Sequence, residues 1–241
     1  MFRSAFIAGV AALACASAWS HVSYSGRDFG TFTGVEDAST TIANQAISGN
    51  FGWADAADAD WGDSHKARWF KFTLANAADV TITTAAKADA NTTSVGGLTP
   101  AFSLYQGVAP SAAYDTAAVT QAWRDTLGFA TEGAWNALGD FKIGNDSGVL
   151  GALVYQGHST SNTAGGQTSA TFRLAAGTYS VIVSGNVYDA QNAGVPGNSG
   201  NFGVSTTLSV SAVPEPTSVA MVMAGALAIG AMGRRRSNRV R

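Results

Sequence analysis

Four carboxylates fall within nine residues of this 241-residue chain: Asp55, Asp58, Asp60 and Asp63, with Gly62 among them. Calcium takes six to eight oxygen ligands, and a bent acidic loop with its backbone carbonyls can supply them. The spacing is not that of an EF-hand, because no Glu closes the loop where one is needed. In a solvated loop the same aspartates would cap backbone amides. Calcium on Asp55, Asp58, Asp60 and Asp63 is thus one expectation, and a plain acidic loop is the other. Trp53 and Trp61 bracket most of this stretch. On a rim they would stack on sugar rings; turned inward they would plug the end of a core.

Other chemistry has less to build on. His21, His65 and His158 are far apart in sequence and lack metal-ligand spacing. Cleavage after Ser20 would expose His21 as an N-terminal copper ligand, but Ala18-Trp19-Ser20 is a poorer cleavage site than Ala16-Ser17-Ala18. There is no Gly-x-Ser-x-Gly and no phosphate loop, and the one cysteine is Cys15. No pair of carboxylates stands out for glycoside hydrolysis, since such pairs meet only in space. The chain is expected not to be an enzyme, with a secreted glycan-acting enzyme as an alternative.

The two ends say where these residues work. Arg3, the apolar run Ala5 to Ala14 and the small residues Ala16-Ser17-Ala18 make a secretory signal peptide over residues 1–18. A lipoprotein reading, with Cys15 lipidated, is the alternative; Ala12-Leu13-Ala14 departs from its usual pattern. At the other end, Val213-Pro214-Glu215-Pro216 precedes an apolar run from Val219 to Met232. Arg234, Arg235 and Arg236 follow, with Arg239 and Arg241 behind them. Ser218 to Gly233 is 16 residues, about 24 Å as a helix. A bilayer core of about 30 Å usually asks for about 20. The run is therefore a short membrane anchor whose arginines stay cytoplasmic, leaving all that precedes Val213 outside. Two prolines hold the segment before it extended and poor in hydrogen bonds, as a protease cleft requires.

Pro214, Glu215 and Pro216, the apolar run and the arginine cluster together resemble the PEP-CTERM sorting signal of Gram-negative bacteria. That resemblance implies recognition by exosortase, a transient inner-membrane anchor, and delivery to the cell surface or extracellular matrix. Signal peptidase and exosortase are then the expected processing partners, and exopolysaccharide the expected surroundings.

Between the ends lies a body of residues 19–212, with residues 213–241 as the sorting segment. It carries 8 basic against 15 acidic residues, a net charge near −7 that the tail arginines mask in the whole-chain value of −2. Nucleic-acid binding, which needs a basic stripe, is not expected. With Cys15 removed, no disulfide holds the body, and its aromatic residues must build the core.

The body alternates with period two. Ala67 to Leu74 and Asp79 to Thr84 read as a hairpin through Ala75-Asn76-Ala77-Ala78. Phe172 to Leu174 and Thr178 to Val183 read as a second. The two align as Phe72/Phe172, Leu74/Leu174, Val80/Ser180 and Ile82/Ile182. Further strands are expected at Pro100 to Tyr105, Leu150 to Tyr155 and Phe202 to Ser211, and weaker ones at Phe29 to Thr33 and Thr40 to Ile47. Long loops fall at Gly49 to Ser64, Gln106 to Asn145 and Ser184 to Asn201; the middle one has room for a short helix or an extra hairpin. The expected class is all-β, an antiparallel jelly-roll-like β-sandwich between an N-terminal signal helix and a C-terminal transmembrane helix.

The strand pattern Trp69-Phe70-Lys71-Phe72-Thr73-Leu74, Asp79 to Thr83 and Pro100 to Tyr105 is similar to the bacterial pre-peptidase C-terminal domain. This resemblance implies a β-sandwich that assists surface attachment or substrate binding. The acidic strand which that family places before its aromatic is replaced here by Ala101-Phe102-Ser103, so its calcium role is not carried over. The function expected is non-enzymatic adhesion or structure at the cell surface, in association with exopolysaccharide. The alternative is a calcium-dependent carbohydrate-binding module.

Overall fold

The computed structural model describes residues 22–54, 61–110, 134–144, 149–187 and 200–213. Both predicted terminal helices, and Asp55, Asp58, Asp60 and Trp123, lie outside these residues. No helix among the described residues is long and apolar enough to cross a membrane.

The described residues form twelve strands and one short 3-10 turn. They are β1 (Asp28–Phe32), β2 (Ala38–Ser48), β3 (Trp61–Asp63), β4 (Ala67–Leu74), β5 (Ala78–Ala86), β6 (Pro100–Gln106), β7 (Ala134–Asn136), β8 (Phe141–Gly144), β9 (Leu150–Thr160), β10 (Gln167–Leu174), β11 (Gly177–Gly185) and β12 (Asn201–Ala212). A six-stranded sheet runs β1-β4-β11-β6-β9-β8, and a four-stranded sheet runs β10-β5-β12-β2. β3 and β7 make a separate ribbon. The fold is an all-β sandwich, antiparallel except where β1 pairs parallel with β4. Its unequal sheets depart from the even eight-strand division of a jelly roll.

The expected hairpins are not hairpins. β4 lies in the larger sheet and β5 in the smaller one, and likewise β11 and β10. Ala75-Asn76-Ala77 therefore carries the chain across the core. Sheets pack about 10 Å apart, and three extended residues span about that distance. Tight hairpin turns want residues that accept positive φ, typically Asn-Gly or Asp-Gly; Asn76-Ala77 offers no such pair. Leu74 and Ala78 on either side are both buried in the central core, which an arch allows. The Asn76 amide donates to the Thr33 carbonyl at 2.9 Å and pins the corner.

The two arches interlock. β4 of the first pairs with β11 of the second, Phe72 opposite Tyr179. β5 pairs with β10, Val80 opposite Phe172. The second connection is one residue shorter, so the expected match of Val80 with Ser180 and Ile82 with Ile182 slips by one. A one-residue slip exchanges the two faces of a strand. Tyr179, Val181 and Val183 join the central core, whereas Ile182 packs on the far side of the sheet.

The larger sheet is thus covered on both faces. Phe70, Phe72, Phe102 and Leu104 face the smaller sheet. Trp69, Tyr105, Ile182, Leu153 and, on β8, Phe141 and Ile143 face an outer layer containing Trp53 and Trp135. That layer is built partly from β3 and β7, which, like β8, are short strands that fall within the regions read as loops. Among the described residues the smaller sheet has no such cover, and its outer face alternates as hydroxyl side chains.

Candidate functional site

Asp63 is the member of the acidic cluster within the described residues. It ends β3 and caps the 3-10 turn Ser64–Lys66, its carboxylate accepting from the His65 N–H at 2.8 Å. The His65 Nδ1 lies 2.9 Å from the same oxygen. This is the amide-capping use of an aspartate. Among the described residues no three His, Cys, Asp or Glu side chains converge as metal ligands.

Trp53 and Trp61 are placed by the same edge. Trp53 is 3% exposed, and its indole N–H donates to the Ser103 hydroxyl at 3.0 Å. Ser103 in turn donates to the Ala137 carbonyl at 2.6 Å, which ties the outer layer to β6. Trp61 is 6% exposed on β3, opposite Asn136 of β7. Trp53 packs within the outer core layer, and Trp61 is buried on β3.

The same edge carries a group that the alternating pattern hides. His158 packs against Trp53 with ring centroids 5.3 Å apart, and its Nδ1 is hydrogen-bonded to the Tyr155 hydroxyl. Residues three apart on a strand point to opposite faces. A bulge in β9 corrects the phase here: Leu104 pairs with Gly157 but Tyr105 with Tyr155, so Gln156 is the extra residue. Burial lowers the His158 pKa and raises that of Tyr155. The imidazole is therefore neutral near pH 7 while its ring reaches solvent. One imidazole and one phenol make a proton acceptor and donor; Ser103 lies opposite His158 in register, and the Asp140 carboxylate accepts from the Tyr155 N–H at 2.7 Å.

An open cavity of about 820 Å³ lies beside β1 and β4, lined by Tyr24, Asp28, Lys71, Val108 and Ala109 among others. Its polar groups are engaged with one another. Lys71 Nζ is 3.0 Å from the Asp28 carboxylate. The Tyr24 hydroxyl pairs with Ser180 at 2.7 Å and accepts from the Ala109 N–H at 3.1 Å. Burial holds its pKa above the usual tyrosine value. Nothing in the sequence marked this cavity, because its walls come from four separate segments.

No family model matches the chain, and no curated protein matches it. Several solved structures are similar to it. CorA, a surface-associated copper-binding protein important in copper acquisition by Methylomicrobium album BG8, is 14% identical with a TM-score of 0.43, over 77% of this chain and 98% of that one. The secreted protein MopE of Methylococcus capsulatus, in which an oxidized tryptophan facilitates copper binding, is 15% identical with a TM-score of 0.36, over 78% of this chain and 87% of that one. The pre-peptidase C-terminal domain of collagenase from Bacillus anthracis is 11% identical with a TM-score of 0.32, over 77% of this chain and 93% of that one. At such scores the likenesses carry nothing about ligand or role.

Proposed function

We propose that this chain is an exported cell-surface or extracellular-matrix protein, sorted by exosortase, with a non-enzymatic adhesive or structural role in exopolysaccharide. The carrying observation is where the fold stops. β12 ends at Ala212, and Pro214-Glu215-Pro216 begins two residues later. The last described strand ends before the Pro-Glu-Pro motif, so a protease can engage that motif without unpairing β12. The signal peptide reading at residues 1–18 and the acidic, cysteine-free body support the same assignment.

The test is made in a Gram-negative host that has exosortase. Cells producing the full chain, or its Pro214→Ala/Pro216→Ala variant, are fractionated, and the recovered protein is weighed intact. The expected mass lacks residues 1–18 and the C-terminal anchor, with the protein in the surface or matrix fraction. The variant is expected to keep its tail and stay in the inner membrane. Cytoplasmic protein, or a variant with unchanged mass and location relative to the parent, would overturn the sorting assignment.

A further inference from the structure

We propose that the bare outer face of the four-stranded sheet is a docking surface for a neutral, polyhydroxylated polymer, the chemical class of the uncharged polysaccharides; this deepens and rests on the matrix reading above. Two rows of hydroxyls cross the whole sheet. In register they run Ser39, Ser209, Thr81, Thr171 and Thr41, Thr207, Thr83, Ser169. Ser39, Thr41, Ser169 and Thr171 are exposed, and the four on the central strands are half-buried.

The hydroxyls are already oriented. They pair across β2 and β12, Ser39 with Ser209 at 2.9 Å and Thr41 with Thr207 at 2.8 Å. They pair again across β5 and β10, Thr81 with Thr171 at 2.7 Å and Thr83 with Ser169 at 2.8 Å. A hydroxyl has one donor and two acceptor positions. Each pair therefore keeps one O–H and three acceptor positions for a guest. Threonine's stiff χ1 holds them in place. Strands about 4.8 Å apart, with same-face residues about 6.7 Å apart along each, set these groups on a grid of the scale of a sugar ring. The grid is regular where it matters, since β5 pairs with both neighbours without a bulge.

Charge selects the occupant. The four strands contain two charged residues, Asp79 and Arg173, which neutralise each other through contacts of 2.6 and 3.2 Å. A polyanion finds one cation on these strands, already paired with a carboxylate, and a membrane surface finds no basic cluster. A protein hot spot would need aromatic or aliphatic anchors, which the eight positions lack. Alternating donors and acceptors match a guest that is itself made of hydroxyls. Each contact replaces one to water and gains little alone, so a polymer that repeats its contacts is the guest that is retained.

The experiment is co-sedimentation of the full-length protein with microcrystalline cellulose and cross-linked dextran, with alginate beads as the charged comparison, at low and high salt. Two variants are run beside it. Thr81→Val/Thr83→Val/Thr171→Val/Thr207→Val removes hydroxyls and keeps shape and strand preference. Thr41→Lys/Thr171→Lys adds bulk and charge on the exposed strands, where folding is least at risk. The parent is expected on a neutral polymer at both salt levels, and each variant to bind about tenfold more weakly. Equal binding by both variants overturns the face and leaves adhesion through another surface. Capture by alginate alone overturns the neutral guest. Concentration-dependent self-association that the variants abolish assigns the face to a second copy instead. No binding to any of the three, with the protein still in the matrix fraction, overturns this inference and leaves the functional assignment standing.

Discussion

Thr84 and Thr206 face each other across β5 and β12, both fully buried and neither hydroxyl holding a hydrogen-bond partner. They sit on the inner side of the sheet whose outer side carries the hydroxyl rows. A buried hydroxyl without a partner costs about 1–3 kcal/mol, whereas an apolar group of the same shape avoids that cost. The Thr84→Val/Thr206→Val variant is expected to be more stable by about 1–3 kcal/mol, read as a higher urea midpoint with an unchanged slope. A lower midpoint would show that the hydroxyls are satisfied in solution.

Arg27 ties the two sheets together at one end. Its guanidinium donates to the Ser23 carbonyl, to the Trp69 carbonyl on β4 at 3.1 Å, and to the Gln45 side chain on β2 at 3.0 Å. Burial lowers its pKa from the usual arginine value, and a guanidinium nevertheless stays protonated in proteins. Hydrogen bonds from a charged donor contribute about 1.5–3 kcal/mol. Arg27→Ala is expected to cost about 2 kcal/mol or more, and Arg27→Lys most of that, because a single ammonium cannot span three acceptors. Denaturant titration of the two variants checks both.

Gly203 lies near the start of β12, where a Cβ would collide with the Lys87 carbonyl oxygen. The close approach is used: Lys87 N–H donates to the Gly203 carbonyl at 2.8 Å. Gly203→Ala must push the Lys87 segment off the strand and is expected to destabilise the domain by about 3 kcal/mol or more. Gly165→Ala meets no neighbouring atom but has φ of 71°, so its smaller loss, about 1 kcal/mol, isolates backbone strain from collision.

The pH dependence has a definite sign. The folded-state pKa of His158 lies below the usual value of about 6.5. The unfolded chain therefore binds more protons in the window between the two, and stability rises with pH across it. The contribution is complete above about pH 6.5 and is lost as the pH falls through the folded value. His158→Gln is expected to flatten this part of the melting-temperature profile. An NMR titration in which His158 titrates at or above the ordinary value would contradict it.

The strands were legible because alternation is local: Trp69 to Leu74 and Val80 to Thr84 show their two faces without reference to anything else. What joins to what was not. The same alternation suits a hairpin or an arch, and only Tyr179 opposite Phe72, 107 residues away, distinguishes them. β3 and β7, at three residues each, are too short to show a period. At the candidate sites, the sequence showed aspartates and tryptophans but not the depth at which they sit. Trp53 reads the same whether it plugs a core or meets a ligand. His158 and Tyr155 came together through a bulge, which no spacing rule on one strand announces. The hydroxyls of β2, β5, β10 and β12 were visible as separate Ser/Thr positions; their rows exist only through the register of four strands.

The interlocked arches also set an order of events during biogenesis. β12 is an inner strand of its sheet, between β5 and β2, yet it is the last of the described strands to be made. β5 waits for β10, β4 waits for β11, and β2 waits for β12. Such long-range pairings form slowly. The four-stranded sheet therefore cannot be completed until almost the whole body has been made, and a chain that has not closed is one that can be threaded through a secretion channel. Closure becomes possible only when Ala212 has been made, so on the proposed export route the fold itself acts as the timer that keeps the chain transportable until then.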